Sequence, residues 1–410
     1  MTEEKKQKRQ FYVILLIVFL GFLGISMPYL IFPALFLNPD YSILPVSWGE
    51  SSRSILLGIT LAAYPLGQFI GSPILGALSD DYGRKRLLAG SLLITALCTL
   101  FTGLAVAWQH LGLLIFSRFA TGLMEGNIAI ARAMAADITT ISKHETFGKI
   151  NAATSIAFLI GPLLGGLMSD KNLSTRLTTS TPFYLTSLFF IGLAGLSALI
   201  LENKVSNLAG ETRSFWQRIN ILKRVSVLFS NKYLRFLMIT STCFTLAVDI
   251  FYEFGPVYLT VRWAMGPAHL VLYNAILCLA LATGNGWVPT LISSHTSNQF
   301  AIICSLGGLA LFLIGIVLAN STVFVMLLFA LSGLAIGLAI TLITVKISDS
   351  VSDAIQGEVM GVQVSLRVLG DAIICLLGGV SLLLSSKLIL LAASGMSICA
   401  MLYFAQRYWK

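Results

Sequence analysis

Two acidic residues lie one helical turn apart in a strongly apolar part of the sequence. Asp249 and Glu253 fall within residues 234–261, a segment long enough to cross a membrane as a helix. Their spacing places both carboxyl groups on one face of that helix. Loss of water and mutual repulsion favour the protonated forms of such a pair, so a proton bound there can be exchanged for a transported molecule. The alternative is a structural ion pair with Arg118, at similar predicted depth in another segment.

Further ionisable residues interrupt apolar segments, where an unpaired charge is costly. Arg118, Glu125 and Arg132 share one segment, and Glu125 is the next proton-binding candidate because it lies near the middle. Arg367 and Asp371 are again one turn apart. We expect them to form a buried pair on one helix. The functional alternative is that Arg367 acts on a neighbouring acid or on the substrate.

The composition is that of an integral membrane protein. Of 410 residues, 56% are hydrophobic and 11% are charged, whereas soluble proteins carry about 25% charged residues. The net charge of +9 arises mostly from Lys and Arg in segments predicted to face the cytoplasm. The excess therefore predicts contact with the lipid bilayer and no nucleic-acid partner.

The sequence shows no pattern for a metal, a cofactor or an enzyme's active site. The six cysteines are scattered among apolar segments, and the four histidines have no ligand spacing. Gly148-Lys149 lacks the upstream glycine of a phosphate-binding loop, and no nucleophile–base arrangement occurs. Transport driven by an ion gradient is therefore favoured over catalysis or ATP-driven transport.

Twelve apolar segments are long enough to span a bilayer core of about 30 Å, which needs about 20 helical residues. The first six are residues 11–37, 54–79, 87–107, 111–138, 147–168 and 183–201. The second six are residues 234–261, 269–292, 300–319, 323–347, 359–385 and 388–404. We predict an all-α membrane protein with twelve transmembrane helices and both termini in the cytoplasm.

The longest connection divides the chain into two predicted six-helix bundles, residues 1–201 and 234–410. The connection, residues 202–233, is basic, and apolar residues from Phe215 to Phe229 recur at helical spacing. This pattern predicts an amphipathic helix on the cytoplasmic leaflet, with a flexible charged tether as the alternative.

The two bundles carry matching small-residue motifs. The pattern TGLxxG at residues 121–126 recurs as SGLxxG at 332–337, and LLGG at 163–166 recurs at 376–379. The matches have nearly the same offset, which indicates a pseudo-symmetric repeat of the kind that alternating access requires.

A charged turn, GALSDDYGRKR at residues 76–86, joins the second and third spans. Gly83 suits the turn because glycine tolerates positive φ, and its three basic residues place it in the cytoplasm. Alone, such a turn only sets topology. Together with YPLGQF at 64–69 and SPIL at 72–75, it resembles the signature of the major facilitator superfamily, specifically its twelve-helix drug:proton antiporters, which include tetracycline exporters.

The resemblance extends to the fourth span and implies roles for its charged residues. RFATG at 118–122 is similar to a motif whose arginine is linked to proton transfer, which implies that role for Arg118. This chain departs from the pattern by having Thr121 in place of the usual Gln and Glu125 in place of a small residue. The acid in AADI at 135–138, Asp137, is implied to form a cytoplasmic gate latch with Asp80 and Arg84, next to Gly83.

Residues 157–166, AFLIGPLLGG, provide the closest match to an antiporter signature. From the residues alone, Pro162 breaks one backbone hydrogen bond, and Gly161, Gly165 and Gly166 allow another helix to approach closely. An ordinary packing face is the alternative. The similarity to the signature implies export rather than import.

We therefore expect a secondary active transporter, a proton-coupled antiporter that exports a small amphipathic molecule such as a drug, a siderophore or a metabolite. The family fold implies that helices 1, 4, 7 and 10 line a central cavity. A metal–tetracycline substrate is not favoured, because the first span has no acid and Cys98 and Thr99 stand where tetracycline exporters carry one. The alternatives are a proton-coupled importer of a small nutrient and a membrane assembly or sensor protein that transports nothing. The expected location is the inner membrane of a bacterium, and a monomer is the family default.

Overall fold

The computed structural model describes residues 3–45, 47–138, 143–169, 177–202, 231–293, 296–350 and 353–408, and these residues contain helices but no β-strand. The first half of the chain forms α1 (Glu3–Ser26), α2 (Phe32–Leu37), α3 (Glu50–Tyr82), α4 (Arg84–Ala107), α5 (Leu111–Leu123), α6 (Gly126–Ala136), α7 (Lys143–Met168) and α8 (Thr181–Ile200). The second half forms α9 (Lys232–Trp263), α10 (Pro267–Gly286), α11 (Val288–Ser293), α12 (Asn298–Leu318), α13 (Thr322–Asp349), α14 (Asp353–Ser381) and α15 (Ser386–Tyr408). Helices suit so apolar a chain because they satisfy their own backbone hydrogen bonds without water.

Eleven stretches of the described chain are long and apolar enough to cross a membrane. The apolar part of α7, Ala152–Met168, is shorter and supplies the twelfth predicted span. Large apolar side chains such as Phe116, Leu199 and Leu311 are exposed on these helices, as expected of surfaces that face lipid. The predicted fold class, an all-α membrane protein with twelve spans, is confirmed.

The first span is not the single helix that was predicted over residues 11–37. A 3₁₀ turn, Met27–Leu30, separates α1 from α2. Pro28 and Pro33 cause the interruption, since neither has a backbone N–H to donate to the preceding turn.

The fourth span, predicted as one helix over residues 111–138, is also divided, between α5 and α6. At the break, the backbone N–H of Glu125 donates to the carbonyl of Gly122, three residues back, at 3.0 Å. No proline is responsible. Gly122 and Gly126 flank the break, and each lowers helix propensity by about 1 kcal/mol relative to Ala.

The eighth span, predicted over residues 269–292, ends early, because α10 stops at Gly286 and a short α11 follows. Pro289 cannot donate to the carbonyl of Asn285, four residues back. The hydroxyl of Thr341 lies 3.4 Å from that carbonyl and 3.1 Å from Oδ1 of the same residue, so the span breaks without leaving the carbonyl unsatisfied.

The chain forms two compact units. The first comprises Met1–Trp48, Ile59–Asn220 and Gly266–Ala268, and the second comprises Gly49–Gly58, Ile221–Met265 and His269–Lys410. The predicted domains 1–201, 202–233 and 234–410 stay a prediction. Residues 203–230, with the predicted amphipathic helix, lie outside the described residues.

Within the first unit, a buried apolar cluster joins α1, α4, α6 and α8. It includes Phe11, Leu92, Ile130 and Leu193. In a membrane such contacts stabilise the unit through close packing, because lipid tails are as apolar as the side chains themselves.

Equivalent hydrogen bonds join equivalent helices in the two units. In the first, the Ser187 hydroxyl on α8 donates to the carbonyl of Ala96 on α4 at 2.7 Å. In the second, the Ser397 hydroxyl on α15 donates to the carbonyl of Leu306 on α12, also at 2.7 Å. Donor and acceptor are separated by the same number of residues in both contacts. The internal repeat therefore extends to individual side chains.

The predicted glycine matches occupy corresponding close contacts. A Cβ at Gly122 would collide with the carbonyl of Tyr64 on α3, and a Cβ at Gly333 would collide with that of Leu277 on α10. The fourth span therefore packs on the second as the tenth packs on the eighth, in agreement with a pseudo-symmetric repeat.

Candidate functional site

Glu125 is the focus of a buried polar cluster in the first unit. It lies at the break between α5 and α6 and is only 9% exposed. The hydroxyl of Tyr64 on α3 donates to Oε2 of Glu125 at 2.5 Å. A phenol that donates to a carboxyl group favours its ionised form, at a depth where that form is otherwise costly.

Two arginines of the fourth span lie against aromatic rings near Glu125. The guanidinium of Arg118 is 4.7 Å from the ring centroid of Tyr64 and 4.8 Å from that of Phe32. The guanidinium of Arg132 is 5.3 Å from the ring centroid of Phe22. Cation–π contacts of this kind stabilise a poorly hydrated cation by about 0.5 to 2 kcal/mol each.

Asp249 anchors a second polar cluster, in the second unit. Arg367 on α14 donates through Nε to both carboxylate oxygens, at 3.0 and 3.2 Å. The Asp249 side chain is 7% exposed, whereas that of Arg367 is 52% exposed. Glu253, one turn further along α9, is only partly buried. Asp249 thus has an arginine partner, Arg367, on another helix of the same unit.

A buried thiol on α14 lies near three acids of the second unit. The Cys375 thiol on α14 contacts Oδ1 of Asp371 at 3.8 Å and lies within electrostatic range of Asp249 and Glu253. Sequence spacing predicted an intrahelical pair of Arg367 with Asp371. An ion pair of Arg367 with Asp249 is present, and the predicted intrahelical pair of Arg367 with Asp371 stays a prediction.

The predicted latch residues lie where α3 and α6 end and α4 begins. Gly83, between α3 and α4, has a φ of 91°, the positive value that its turn was predicted to need. Arg84 Nη1 pairs with Oδ2 of Asp137, as the resemblance implied. The side chain of Asp80 lies outside the described residues, and the role of this group as a gate stays a prediction.

The glycines of the antiporter-like motif form the seam between α7 and the end of α1. A Cβ at Gly161 would lie 2.8 Å from the carbonyl of Leu23 and would overlap the hydroxyl of Ser26, and a Cβ at Gly165 would collide with the carbonyl of Met27. The Ser26 hydroxyl also lies 3.2 Å from the carbonyl of Ala157 on α7. The close helix approach predicted for this motif is present.

The other two motif positions, Pro162 and Gly166, lie on the same helix, one turn apart. Pro162 is inside α7. Because proline has no backbone N–H, it donates nothing to the carbonyl of Phe158, four residues back. The helix continues through this position despite the missing hydrogen bond.

Sequence reasoning missed Tyr64, Ser26 and Cys375 as members of these clusters. None is charged, so none stood out in an apolar segment. Among the described residues, no group of three or more His, Cys, Asp or Glu could hold a metal ion.

Proteins named for drug resistance are similar in sequence to part of this chain. Over 203 residues the chain is 32% identical to multidrug resistance protein 2 of Bacillus subtilis, covering 49% of this chain and 46% of that protein. Over 160 residues it is 36% identical to the class H tetracycline resistance protein of Pasteurella multocida, covering 38% of this chain and 37% of that protein. The matched stretch therefore spans less than half the length of either relative.

Solved structures match along nearly the whole chain. The human organic anion transporter MFSD10 has a TM-score of 0.69 at 19% identity, covering 98% of this chain and 100% of that one. A D-xylose–proton symporter has a TM-score of 0.71 at 15% identity, covering 96% and 97%. At these identities the structures establish a shared fold alone. Residues 14–375 match the Major Facilitator Superfamily, and the chain belongs to that superfamily of multi-pass membrane transporters.

Proposed function

We propose that this protein is a proton-coupled antiporter that exports a small amphipathic molecule by alternating access. The relatives named for resistance to multiple drugs and to tetracycline support export, as does the antiporter-like run that contains Gly161, Pro162, Gly165 and Gly166.

The observation that carries the proposal is a pair of buried carboxyl groups, one in each unit. Glu125 receives a hydrogen bond from Tyr64, and Asp249 is paired with Arg367. Burial favours the neutral acid while each partner favours the carboxylate. Because these effects oppose one another, a modest rearrangement during transport is enough to load or release a proton.

Each acid has a role in the proposed cycle. In the inward-open form the protein takes up substrate while Glu125, Asp249 and Glu253 hold few protons. Protons from the outside bind to these acids as the substrate leaves. Arg118 and Arg367 stabilise the carboxylates once the protons have been released to the cytoplasm.

The substrate class is a hydrophobic or amphipathic drug, a siderophore or another secreted metabolite. In the third span the residue next to Cys98 is Thr99, a buried threonine whose hydroxyl donates to the carbonyls of Thr95 and Ala96. That position therefore offers no carboxylate to a metal–tetracycline complex.

We place the protein in a bacterial inner membrane with both termini in the cytoplasm, acting as a monomer. The ion pair between Lys6 and Glu202 joins the start of α1 to the residue after the sixth span. Both of these ends then lie on one side of the membrane, as an even number of spans between them requires.

The test is accumulation of chemically diverse compounds in cells that lack their own exporters. We expect expression of the protein to lower accumulation of at least one amphipathic compound, and an uncoupler to abolish the effect. The Glu125→Gln variant and the Asp249→Asn, Glu253→Gln double variant should lose it, with Glu50→Gln, at the exposed start of α3, as the matched control. Export that persists in an uncoupler, or in both acid variants, would contradict the proposal.

A further inference from the structure

Tyr64 makes two different contacts with the charged residues of the fourth span. Its hydroxyl donates to Glu125, and the face of its ring carries the guanidinium of Arg118 at 4.7 Å. Tyr64 itself is only 7% exposed. One side chain on a neighbouring helix therefore touches both an acid and a base of the fourth span.

Small residues hold Tyr64 in this position where α3 meets α5. A Cβ at Gly122 would collide with the carbonyl of Tyr64, and a Cβ at Gly67 would lie 2.8 Å from the backbone N of Leu123. Only glycine permits the two backbones to approach so closely. The approach brings the phenol within reach of Glu125 at the helix break.

We infer that Tyr64 is a positioning residue for proton exchange at Glu125: its hydroxyl stabilises the ionised carboxylate, and its ring holds Arg118 beside that carboxylate. The inference rests on the proposed function, in which Glu125 exchanges a transported proton. When Glu125 takes up a proton, the charge that strengthens the Tyr64 hydrogen bond disappears. The ring and the guanidinium on it are then less firmly held, so protonation is linked to movement between the second and fourth spans.

Among the described residues, three charged or titratable groups act on this bond. Arg118 on α5 and Arg132 on α6 act on Glu125, and the phenol of Tyr29 in the 3₁₀ turn acts on Tyr64. Both arginines remain when only the Tyr64 hydroxyl is removed. The effect of that hydroxyl can therefore be separated from the effect of the positive charges.

The test is an infrared titration of the purified full-length chain in detergent, which requires no substrate. The absorption band of the protonated Glu125 carboxyl is identified as the band that Glu125→Gln removes. We expect Tyr64→Phe, which keeps the ring under Arg118, to raise the midpoint pH of this band by about one to two units, the size of a hydrogen bond to a charged group. Replacing Tyr64 with 3-fluorotyrosine keeps the shape, strengthens the donor, and should lower the midpoint.

Tyr273→Phe is the matched control. The Tyr273 hydroxyl is a buried phenol that donates at 3.1 Å to a backbone carbonyl, that of Thr322, rather than to a carboxylate. It should leave the Glu125 band unchanged. An unchanged midpoint in Tyr64→Phe, an equal shift in Tyr273→Phe, or a Glu125 band that does not titrate would overturn the inference. The first two results leave uncoupler-sensitive export untouched, whereas a Glu125 band that does not titrate also contradicts proton exchange at Glu125 in the proposed function, so the two failures are distinguishable.

Discussion

Replacing Gly161 with alanine tests the tight seam between α1 and α7. The added methyl carbon would lie 2.8 Å from the carbonyl of Leu23 and would overlap the hydroxyl of Ser26. The Ser26 side chain can rotate away, but the Leu23 carbonyl belongs to a helix backbone and moves only if the helices separate. Overpacking of this kind costs about 1 to 3 kcal/mol.

A glycine-to-alanine change also stabilises a helix by about 1 kcal/mol through propensity alone, so a control is needed. A methyl group at Gly195 in α8 would meet no atom of a neighbouring helix within 4 Å. Gly195→Ala should therefore show the propensity gain without the clash. The difference between the two variants isolates the clash, and we expect Gly161→Ala to be the less stable by about 1 to 3 kcal/mol.

The measurement is equilibrium unfolding of both variants in mixed micelles, followed by export in cells. Gly161→Ala should also reduce export more than Gly195→Ala, since the seam belongs to the antiporter-like motif. Equal free energies of unfolding for the two variants would refute the close packing of α1 on α7.

Two ion pairs give further expected outcomes. Arg367→Gln leaves the buried Asp249 carboxylate without this arginine and should lower the free energy of unfolding by about 1 to 3 kcal/mol, at the low end because Arg367 is half exposed. This loss of unfolding free energy should be smaller at pH 5 than at pH 8, because protonation removes the unpaired charge of the Asp249 carboxylate. An equal loss at both pH values in chemical unfolding would count against the pair. Arg84→Ala should change stability by less than about 1 kcal/mol, since Asp137 is 45% exposed, but should slow export. Exchanging the two residues, Arg84→Asp with Asp137→Arg, should restore part of the export rate, and no recovery would argue against a latch.

Much of the fold follows from local patterns in the sequence. Apolar segment length reveals the spans because each must cross the same bilayer thickness. Gly83 was recognisable as a turn residue because positive φ is costly for other residues. The recurrence of Gly122 as Gly333 indicated which helices pack alike.

The partners within the candidate sites could not be read in the same way. Spacing reveals neighbours on one helix, and it therefore suggested Asp371 for Arg367. Asp249, which bonds to Arg367, is 118 positions away on another helix, so spacing along one helix could not reveal it. Tyr64 and Glu125 are 61 positions apart, and a tyrosine in an apolar span gives no sign of the acid that it bonds.

Helix interruptions were only partly predictable. Pro28 and Pro289 mark two of them, since proline cannot continue the backbone ladder. The break at Glu125 has no proline, and it coincides with a buried carboxyl that bonds to a neighbouring helix. The low helix propensity of Gly122 and Gly126 and the tertiary contact of Glu125 both act at this break.

One measurement tests whether substrate movement drives protons across the membrane and whether the two move in opposite directions. Proteoliposomes of the purified protein contain a pH-sensitive dye and start with equal pH on both sides. They then receive a gradient of the best compound from the accumulation screen. We predict proton movement opposite to that of the compound, lost in Glu125→Gln and in the Asp249→Asn, Glu253→Gln double variant. Protons that move with the compound, or that do not move while the compound crosses, would contradict a proton-coupled antiporter.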